Sequence, residues 1–546
     1  MSTETPSSVP EFSKWRRYLW PVHSYELKKL IPMLLIFFFI SFDYNVLRTL
    51  KDSLLITAKS SGAEVIPFVK VWAMFPGAIL MTLLFTWLSN RLSRETVFYV
   101  MMSIFLAYFF VFTFFLYPIR DFIHPHATAD ALELALPVGF KGAVAMFRYW
   151  SFTIFYVLSE LWGSIVLFVL FWGFANQVTK LGEAKRFYGL FGVGANLSGV
   201  FAGQASVYCC NFTRNGGVFP VGADAWHQSL AMIVSLVLVA GFISLALFRW
   251  MNKQVLTDPR FYDASPSQPQ GKTKEKFSLK QTFTTLLNSP YLLCIALIVI
   301  SYNMVINLTE VIWKHQVREL YPNPNDYTLY MNQIVSIIGF IATFTSLFVS
   351  GNSIRKRGWT FTALITPVII LITSLGFFSF FFLKKASPEP IISLLGSFTP
   401  LMIVVFFGSA QNILSRAAKY SVFDATKEMA FVPLSAETKL IGKASIDGVC
   451  SRFGKSGGAF VHQTLLLFFS TLTFSAPYVA VVLLVVTVVW VLAIKTLGRQ
   501  FNELSAQMDS GVVGSLGESV GSRLTPGGDN LNTLPEHGIL QQQQAI

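Results

Sequence analysis

The sequence predicts an all-α polytopic membrane protein with about twelve transmembrane helices. Three observations carry that expectation. Apolar residues make up 53% of the 546 and charged residues only 13%, about half the charged share of a soluble chain. The apolar residues fall in repeated runs long enough to cross a bilayer, for which a helix needs roughly 20 residues. One long polar break, 249–289, divides these runs into two sets of six.

Residues 1–29 are polar and lack the apolar core and small-residue site of a cleaved signal peptide, so a cytoplasmic N-terminal segment is expected. Twelve candidate spans follow at 30–48, 68–88, 96–117, 149–172, 188–208, 228–248, 290–310, 330–350, 361–383, 398–414, 456–475 and 478–495. Lysine and arginine concentrate in alternate loops, around Arg91 and Arg94, Lys185 and Arg186, Arg355 to Arg357, and Arg416 to Lys455. The positive-inside rule then places both termini of the multi-pass protein in the cytoplasm. It also accounts for most of the net charge of +13, which therefore does not point to nucleic acid. The expected organisation is an N-terminal half at 30–248, a cytoplasmic linker at 249–289 and a C-terminal half at 290–500. A disordered cytoplasmic tail, rich in Gly, Ser and Gln, covers 501–546.

The halves echo one another. FWGFANQVTKLGEAKRFY at 171–188 resembles FFGSAQNILSRAAKYSVF at 406–423, and FDYNVLRTLKD at 42–52 resembles ISYNMVINLTE at 300–310. The second pairing lays Tyr44-Asn45 over Tyr302-Asn303 and Asp52 over Glu310. Two pseudo-symmetric six-helix halves joined by a cytoplasmic linker form a major-facilitator-like pattern, with substrate held between them at mid-membrane. Cys209, Cys210, Cys294 and Cys450 show no ligand spacing and read as buried thiols.

Charges within the spans are the informative residues, because an unpaired charge in hydrocarbon is costly and faces a polar cavity or a partner. Glu160 lies in the middle of 149–180, a stretch that ends in Asn176, Gln177 and Lys180. Asp43, Arg48, Lys51 and Asp52 cluster near the end of the first span, Lys70 and Arg148 at span entries, and Glu310 one turn before Lys314. An excess of bases around a cavity points to an anionic substrate. Tyr44, Trp72, Tyr149, Phe152, Phe155, Tyr156 and Trp162 offer faces on which a base or sugar could stack. The glycines of YGLFGVGANLSGVFAG at 188–203 read as close helix packing. Gly454-Lys455-Ser456 imitates the end of a phosphate-binding loop, but position 449 is valine where that loop needs glycine, and no strand precedes it. It reads as a loop-to-helix junction whose lysine can attract phosphate. With no zinc constellation, nucleophile elbow or complete Walker set, the chain is expected to be a carrier and not an enzyme, driven by exchange or an ion gradient.

Longer motifs carry a family resemblance over nearly all of 12–500. They are LWPVHSYELKKLIPM at 19–33, SGAEVIPFVK at 61–70, LSELWGSIVLFVLFWGFANQVTK at 158–180, EAKRFYGLFGVGAN at 183–196, VLTDPRFY at 255–262, NLTEVIWK at 307–314, TKEMAFVPL at 426–434 and FGKSGGA at 453–459. In this order they resemble the nucleotide translocases of chlamydiae, rickettsiae and plastids, whose best-known members exchange ATP for ADP. The resemblance implies a nucleotide transporter of an intracellular bacterium, working by alternating access as a monomer on ATP, ADP or other ribonucleotides. Protons or phosphate are candidate co-substrates, and membrane lipid is the surrounding partner. By similarity the residues needed for transport are Lys70, Glu160, Glu310 and Lys427; Arg48, Lys51 and Asn176 complete the candidate site. Two departures bear on base choice and coupling. The ATP/ADP exchangers of the family read Leu-Arg-Asp-Thr-Lys-Asp where this chain has Leu47-Arg48-Thr49-Leu50-Lys51-Asp52, and Ser-Lys-Ser-Thr-Lys where it has Ser415 to Lys419. The resemblance therefore leaves proton-coupled import and broad-specificity exchange open beside ATP/ADP exchange.

Overall fold

The computed structural model describes residues 22–179, 181–258, 261, 288–348, 350–386 and 398–509, and all regular structure among them is helical. The expected N-terminal segment up to residue 21, most of the linker and the tail from 510 lie outside the described residues. Twelve long helices follow in order: α1 (Ser24–Ile56), α2 (Val65–Arg91), α3 (Arg94–Leu116), α4 (Trp150–Val178), α5 (Leu181–Arg214), α6 (Ala225–Val255), α7 (Pro290–Leu320), α8 (Pro324–Leu347), α9 (Lys356–Lys384), α10 (Pro400–Ala430), α11 (Ser451–Phe469) and α12 (Leu472–Ala506). Among the described residues, ten of these are long and apolar enough to cross a membrane; α5 and α11 are more polar. The multi-pass all-α architecture is thus observed, with helices at all twelve expected places.

Helix ends depart from the sequence expectation for two physical reasons. The first and tenth spans were expected to stop at 48 and 414, yet α1 runs to Ile56 and α10 to Ala430. Hydropathy falls at the charges of 48–52 and 416–428, but most of those charges are paired within the protein and leave the helix uninterrupted. The eleventh span was expected to run to 475, whereas α11 ends at Phe469. Ser470 takes a left-handed conformation with φ 63°, and α12 begins at Leu472. The apolar run crosses this turn without a break, so hydropathy alone cannot see it.

Packing reveals the internal symmetry. α1 packs on α4, α5 and α6, and α7 packs in the same way on α10, α11 and α12. Between the halves, α5 lies along α8, and α2 meets α11. Exchanging the halves converts one of these seams into the other. We call the face that carries the starts of α1 and α7 the near face, and the opposite one the far face. In the α5–α8 seam, Asn325 Nδ2 donates to the Cys210 carbonyl at 3.1 Å and Gln204 Nε2 to Ser336 Oγ at 3.0 Å. Only part of the glycine run packs closely: Gly203 sits against α8 and Gly199 against Asn45, whereas Gly189 and Gly192 meet nothing within 4 Å of a Cβ position. Gly457 on α11 is equally open. These contacts between the halves lie in the middle and far part of the bundle, and Gly189, Gly192 and Gly457 leave open space beside α5 and α11. Cys209, Cys210 and Cys450 are buried free thiols and Cys294 is half-buried.

A Cβ on Gly339 of α8 would lie 2.6 Å from the Asn196 carbonyl oxygen and 2.9 Å from the Val200 nitrogen, both backbone atoms of α5. Gly339→Ala must therefore push the seam apart, at a cost of about 1–3 kcal/mol for overpacking. Thermal unfolding in detergent is expected to show a clear drop in Tm for Gly339→Ala and none for Gly192→Ala. Equal Tm values for both variants would refute the close seam.

Candidate functional site

α1 and α7 are the axial helices of their halves, and each carries charges in its far half that hydrocarbon would not tolerate alone. They do not stand alone. Lys51 Nζ lies 3.0 Å from Asp52 Oδ1 and 3.4 Å from Glu160 Oε2, and 3.8 Å from the centre of the Tyr156 ring. The other oxygen of Asp52 meets Lys314 Nζ at 2.7 Å, and Lys314 also meets Glu310, one turn back on α7, at 2.7 Å. The same Glu310 oxygen accepts Arg416 Nη2 at 2.8 Å, while Arg416 Nε donates to Asn412 Oδ1 at 2.9 Å. One continuous chain results: Glu160, Lys51, Asp52, Lys314, Glu310, Arg416. It runs from α4 through α1 and α7 to α10 and crosses between the halves at the Asp52–Lys314 bond.

A second crossing lies beside it. Lys70 Nζ of α2 donates to Asn307 Oδ1 of α7 at 2.5 Å. Arg48 lines a small cavity with Asp52, Glu310, Trp313 and Asn412. Among the described residues neither Arg48 nor Lys70 has an ion-pair partner. Burial grades the chain: the side chains of Lys51, Asp52 and Lys314 are 3–4% exposed, but that of Glu160 is 28% exposed. Wide π-helical turns adjoin the charges, at Val69–Ala73 around Lys70, Gly163–Phe171 after Glu160, and Lys419–Phe423 after Arg416. Such turns reorient side chains within a continuous helix and recur at functional sites.

Five of the expected site residues, Arg48, Lys51, Lys70, Glu160 and Glu310, are thus brought together. Two are not. Lys427 sits toward the near end of α10, 2.6 Å from Asp447 and 3.4 Å from Glu428. Asn176 is exposed at the near end of α4, where its Oδ1 accepts the Tyr188 hydroxyl at 2.5 Å. Arg148 belongs to the far loop, bound to Asp130 and Glu133 at 2.6 and 2.8 Å. Asp43 is fully buried on α1, with no hydrogen-bond partner on either carboxylate oxygen among the described residues. Of the aromatic candidates, Tyr156 touches the charge chain and Tyr44 packs over Gly163. Trp162 is core, donating to the Ile40 carbonyl at 3.0 Å; Tyr149 and Phe152 line a far-face depression of about 610 Å³. That depression is charge-balanced, with Lys59, Arg120 and Arg214 against Asp121, Asp224 and Asp326. The sequence reading missed Arg416 as a site residue, because the expected tenth span ended two residues before it. It also missed Asn307 and Asn412, neutral residues whose importance is visible only through their partners.

A family model described as TLC ATP/ADP transporter matches residues 5–501. The chain belongs to the TLC ATP/ADP transporter family. It is 45% identical over 502 residues to ADP,ATP carrier protein 1 of Chlamydia trachomatis serovar D, covering 92% of this chain and 94% of that one. It is 44% identical over 481 residues to the chloroplastic ADP,ATP carrier protein 1 of Arabidopsis thaliana, covering 88% and 75%. The family resemblance of the sequence motifs is thereby established. Among solved structures, a crystal structure of D-xylose-proton symporter aligns with a TM-score of 0.49 and 12% identity, covering 87% of this chain and 97% of that one.

The gradient of burial along the charge chain separates structural from mobile members. Removing one partner of a buried pair leaves a stranded charge and costs about 3–5 kcal/mol, whereas exposed pairs are worth about 0–1 kcal/mol. Asp52→Asn leaves Lys51 with only the longer Glu160 contact and Lys314 with Glu310 alone, and is expected to lower Tm by several degrees. Glu160→Gln is expected to leave Tm close to that of the parent, because Asp52 still holds Lys51. A larger Tm loss in Glu160→Gln than in Asp52→Asn would reverse the assignment.

Proposed function

We propose that this chain is a nucleotide carrier that exchanges ATP for ADP by alternating access, acting as a monomer in the inner membrane of an intracellular bacterium, with both termini cytoplasmic. Its working parts would be the halves 30–248 and 290–500 joined by the linker 249–289, with 1–29 and 501–546 as cytoplasmic ends. The observation that carries the reading is the convergence of bases from both halves on one buried interface, with Arg48 and Lys70 left without carboxylate partners among the described residues. A polyanion can enter low dielectric only where such compensation waits. The printed names of the relatives, ADP,ATP carriers of chlamydiae and of a chloroplast, support the choice of nucleotide.

Exchange follows from the same charges. A ligand shifts a two-state equilibrium only through its different affinity for the two states. An empty site retains lysine repulsion that a bound phosphate chain relieves, so the loaded carrier reorients more readily than the empty one. One observation favours a second reading, proton-coupled import or a broader nucleotide range. Among the described residues Asp43 is a buried carboxyl group without a hydrogen-bond partner, and a group of that kind can carry a proton. Thr49, standing where the family's exchangers have aspartate, donates only to the Asn45 carbonyl, at 3.4 Å.

The deciding measurement is uptake of labelled nucleotide into proteoliposomes, with and without internal nucleotide, across a panel of bases and with an imposed proton gradient. Strict dependence on internal ATP or ADP, insensitive to protonophore, is the expected result. Uptake into empty vesicles that rises with an inward proton gradient would replace exchange by symport. Neutralising Lys70, Glu310 or Lys427 to the uncharged amide or its glutamine equivalent is expected to cut exchange about tenfold or more, the scale of a lost charge-assisted bond. Parental rates at normal protein yield would remove that residue from the transport site.

A further inference from the structure

We infer that the connection between α3 and α4, residues 117–149, is a rigid arm that closes the far face by seating on α11 of the opposite half, and that it leaves this seat whenever the carrier opens there. The inference rests on the alternating-access part of the carrier reading and goes beyond it.

The connection is more than twice as long as its counterpart in the other half, 385–399, and connections of such length in compact proteins are commonly lids or binding loops. It contains a short helix (His126–Ala135), a 3-10 turn (Val138–Phe140) and a second short helix (Lys141–Arg148). Arg148 ties the two helices together, its buried guanidinium binding Asp130 at 2.6 Å and Glu133 at 2.8 Å. The Tyr149 hydroxyl donates to the Lys59 carbonyl at 2.7 Å, and Trp150 Nε1 donates to the Ile123 carbonyl at 3.2 Å. His124 Nε2 lies 2.8 Å from Ser151 Oγ. Gly142 lets the second helix lie against the start of α2, where a Cβ would come within 2.4 Å of the Glu64 carbonyl oxygen. All these bonds and contacts stay within the N-terminal half, so the arm moves with that half as one body.

The 3-10 turn crosses to the other half. A Cβ on Gly139 would lie 2.5 Å from the Leu466 carbonyl oxygen and 2.9 Å from Leu467 Cα, both backbone atoms near the end of α11. A residue without a Cβ is what permits so close an approach. α11 ends at Phe469, so the arm rests on the far rim of the C-terminal half and extends the α2–α11 seam to the far surface. Beside the seat, Glu64 at the start of α2 brings Oε1 to 3.8 Å from His315 Nδ1 on α7. The two seams thus end differently. The α5–α8 seam is fastened by polar bonds, Asn325 to the Cys210 carbonyl and Arg214 to Asp326 at 3.3 Å. The seat of the arm is backbone against backbone, and among the described residues no hydrogen bond or ion pair joins the arm to α11. Such a contact parts without stranding a buried donor, acceptor or charge. It is also sharply made or lost, since a gap of about 1 Å forfeits up to about half of the attraction. These are the properties of a lid that opens and closes repeatedly.

The test uses the full-length protein in proteoliposomes, with the half-buried Cys294 replaced by serine. Spin labels are placed at Leu134→Cys on the arm and Phe468→Cys on α11, positions 90% and 78% exposed, so that labelling disturbs no packing. Double electron–electron resonance without nucleotide is expected to give one narrow distance distribution. Gly139→Val, whose side chain cannot enter the seat, should lengthen and broaden it; Gly139→Ala should do so less, and Gly192→Val, at an open position, not at all. An unchanged distribution in both Gly139 variants overturns the seat. In the parent, ATP on both sides of the vesicle membrane should populate a second, longer distance, a readout that needs no glycine variant. A distance that stays fixed in a protein that does transport nucleotide overturns the gating role alone. A parent that moves no nucleotide, yet keeps the Gly139-dependent distance, overturns the carrier reading and supports the seat. Uptake of labelled ATP into vesicles without internal nucleotide should rise about fivefold in Gly139→Val, the effect of overpacking at the low end of its usual cost, because the empty carrier loses one barrier to opening.

Discussion

The bond on which the rest depends is Asp52–Lys314, at 2.7 Å and with both side chains only 3–4% exposed. It joins the axial helix of one half to that of the other. Neither charge could occupy this depth without its partner, since the desolvation of an isolated ion exceeds what any single neighbour returns. Each therefore has a second: Asp52 also holds Lys51, and Lys314 also holds Glu310. Acids and bases alternate along the whole chain, so every buried charge inside it has an opposite charge on either side. The pattern explains why α1 and α10 continue as helices through sequences that look like loops.

This pairing makes the interface selective about which bases remain available. The carboxylates of the charge chain are consumed by Lys51, Lys314 and Arg416, so the leftover positive charge is that of Arg48 and Lys70 beside it. The gradient from Asp52 at 3% to Glu160 at 28% exposure marks the same transition from a fixed lattice to a surface that a solute can reach. An anion reaching the cluster would find Lys70 and Arg48 uncommitted and the other bases of the chain locked in pairs. The protein thus separates the charges that hold the halves together from those free to hold something else.

Much of this was legible in the sequence, because a bilayer penalises every charge and makes the survivors conspicuous. Glu160, Glu310, Lys70, Arg48 and Lys51 stood out on that ground alone, and the likeness of 42–52 to 300–310 anticipated the matching roles of α1 and α7. What the sequence could not reveal was pairing. Lys427 and Asn176 belong to motifs of the family, yet they lie apart from the cluster, one bound to Asp447 and the other to Tyr188. Arg416 looked like one more cytoplasmic base because hydropathy ended the tenth span before it, although its guanidinium closes the chain at Glu310. The Ser470 turn was hidden for the opposite reason, lying inside an unbroken apolar run.

The seams state what alternation would require. The α5–α8 and α2–α11 contacts are exchanged by the internal symmetry, so a conformation closed at the near face can be built from the same helices by transferring contact from one part of each seam to another. Any movement that parts the halves at the far face must separate Asp52 from Lys314, and two stranded ions would oppose it. Glu310 limits that cost, because it sits on the same helix as Lys314 and keeps its contact whatever α1 does. Lys51 plays the corresponding part for Asp52 on α1. The bond between the halves can therefore break with each charge retaining a partner on its own side, which is the property that a gate needs and that a purely structural ion pair does not.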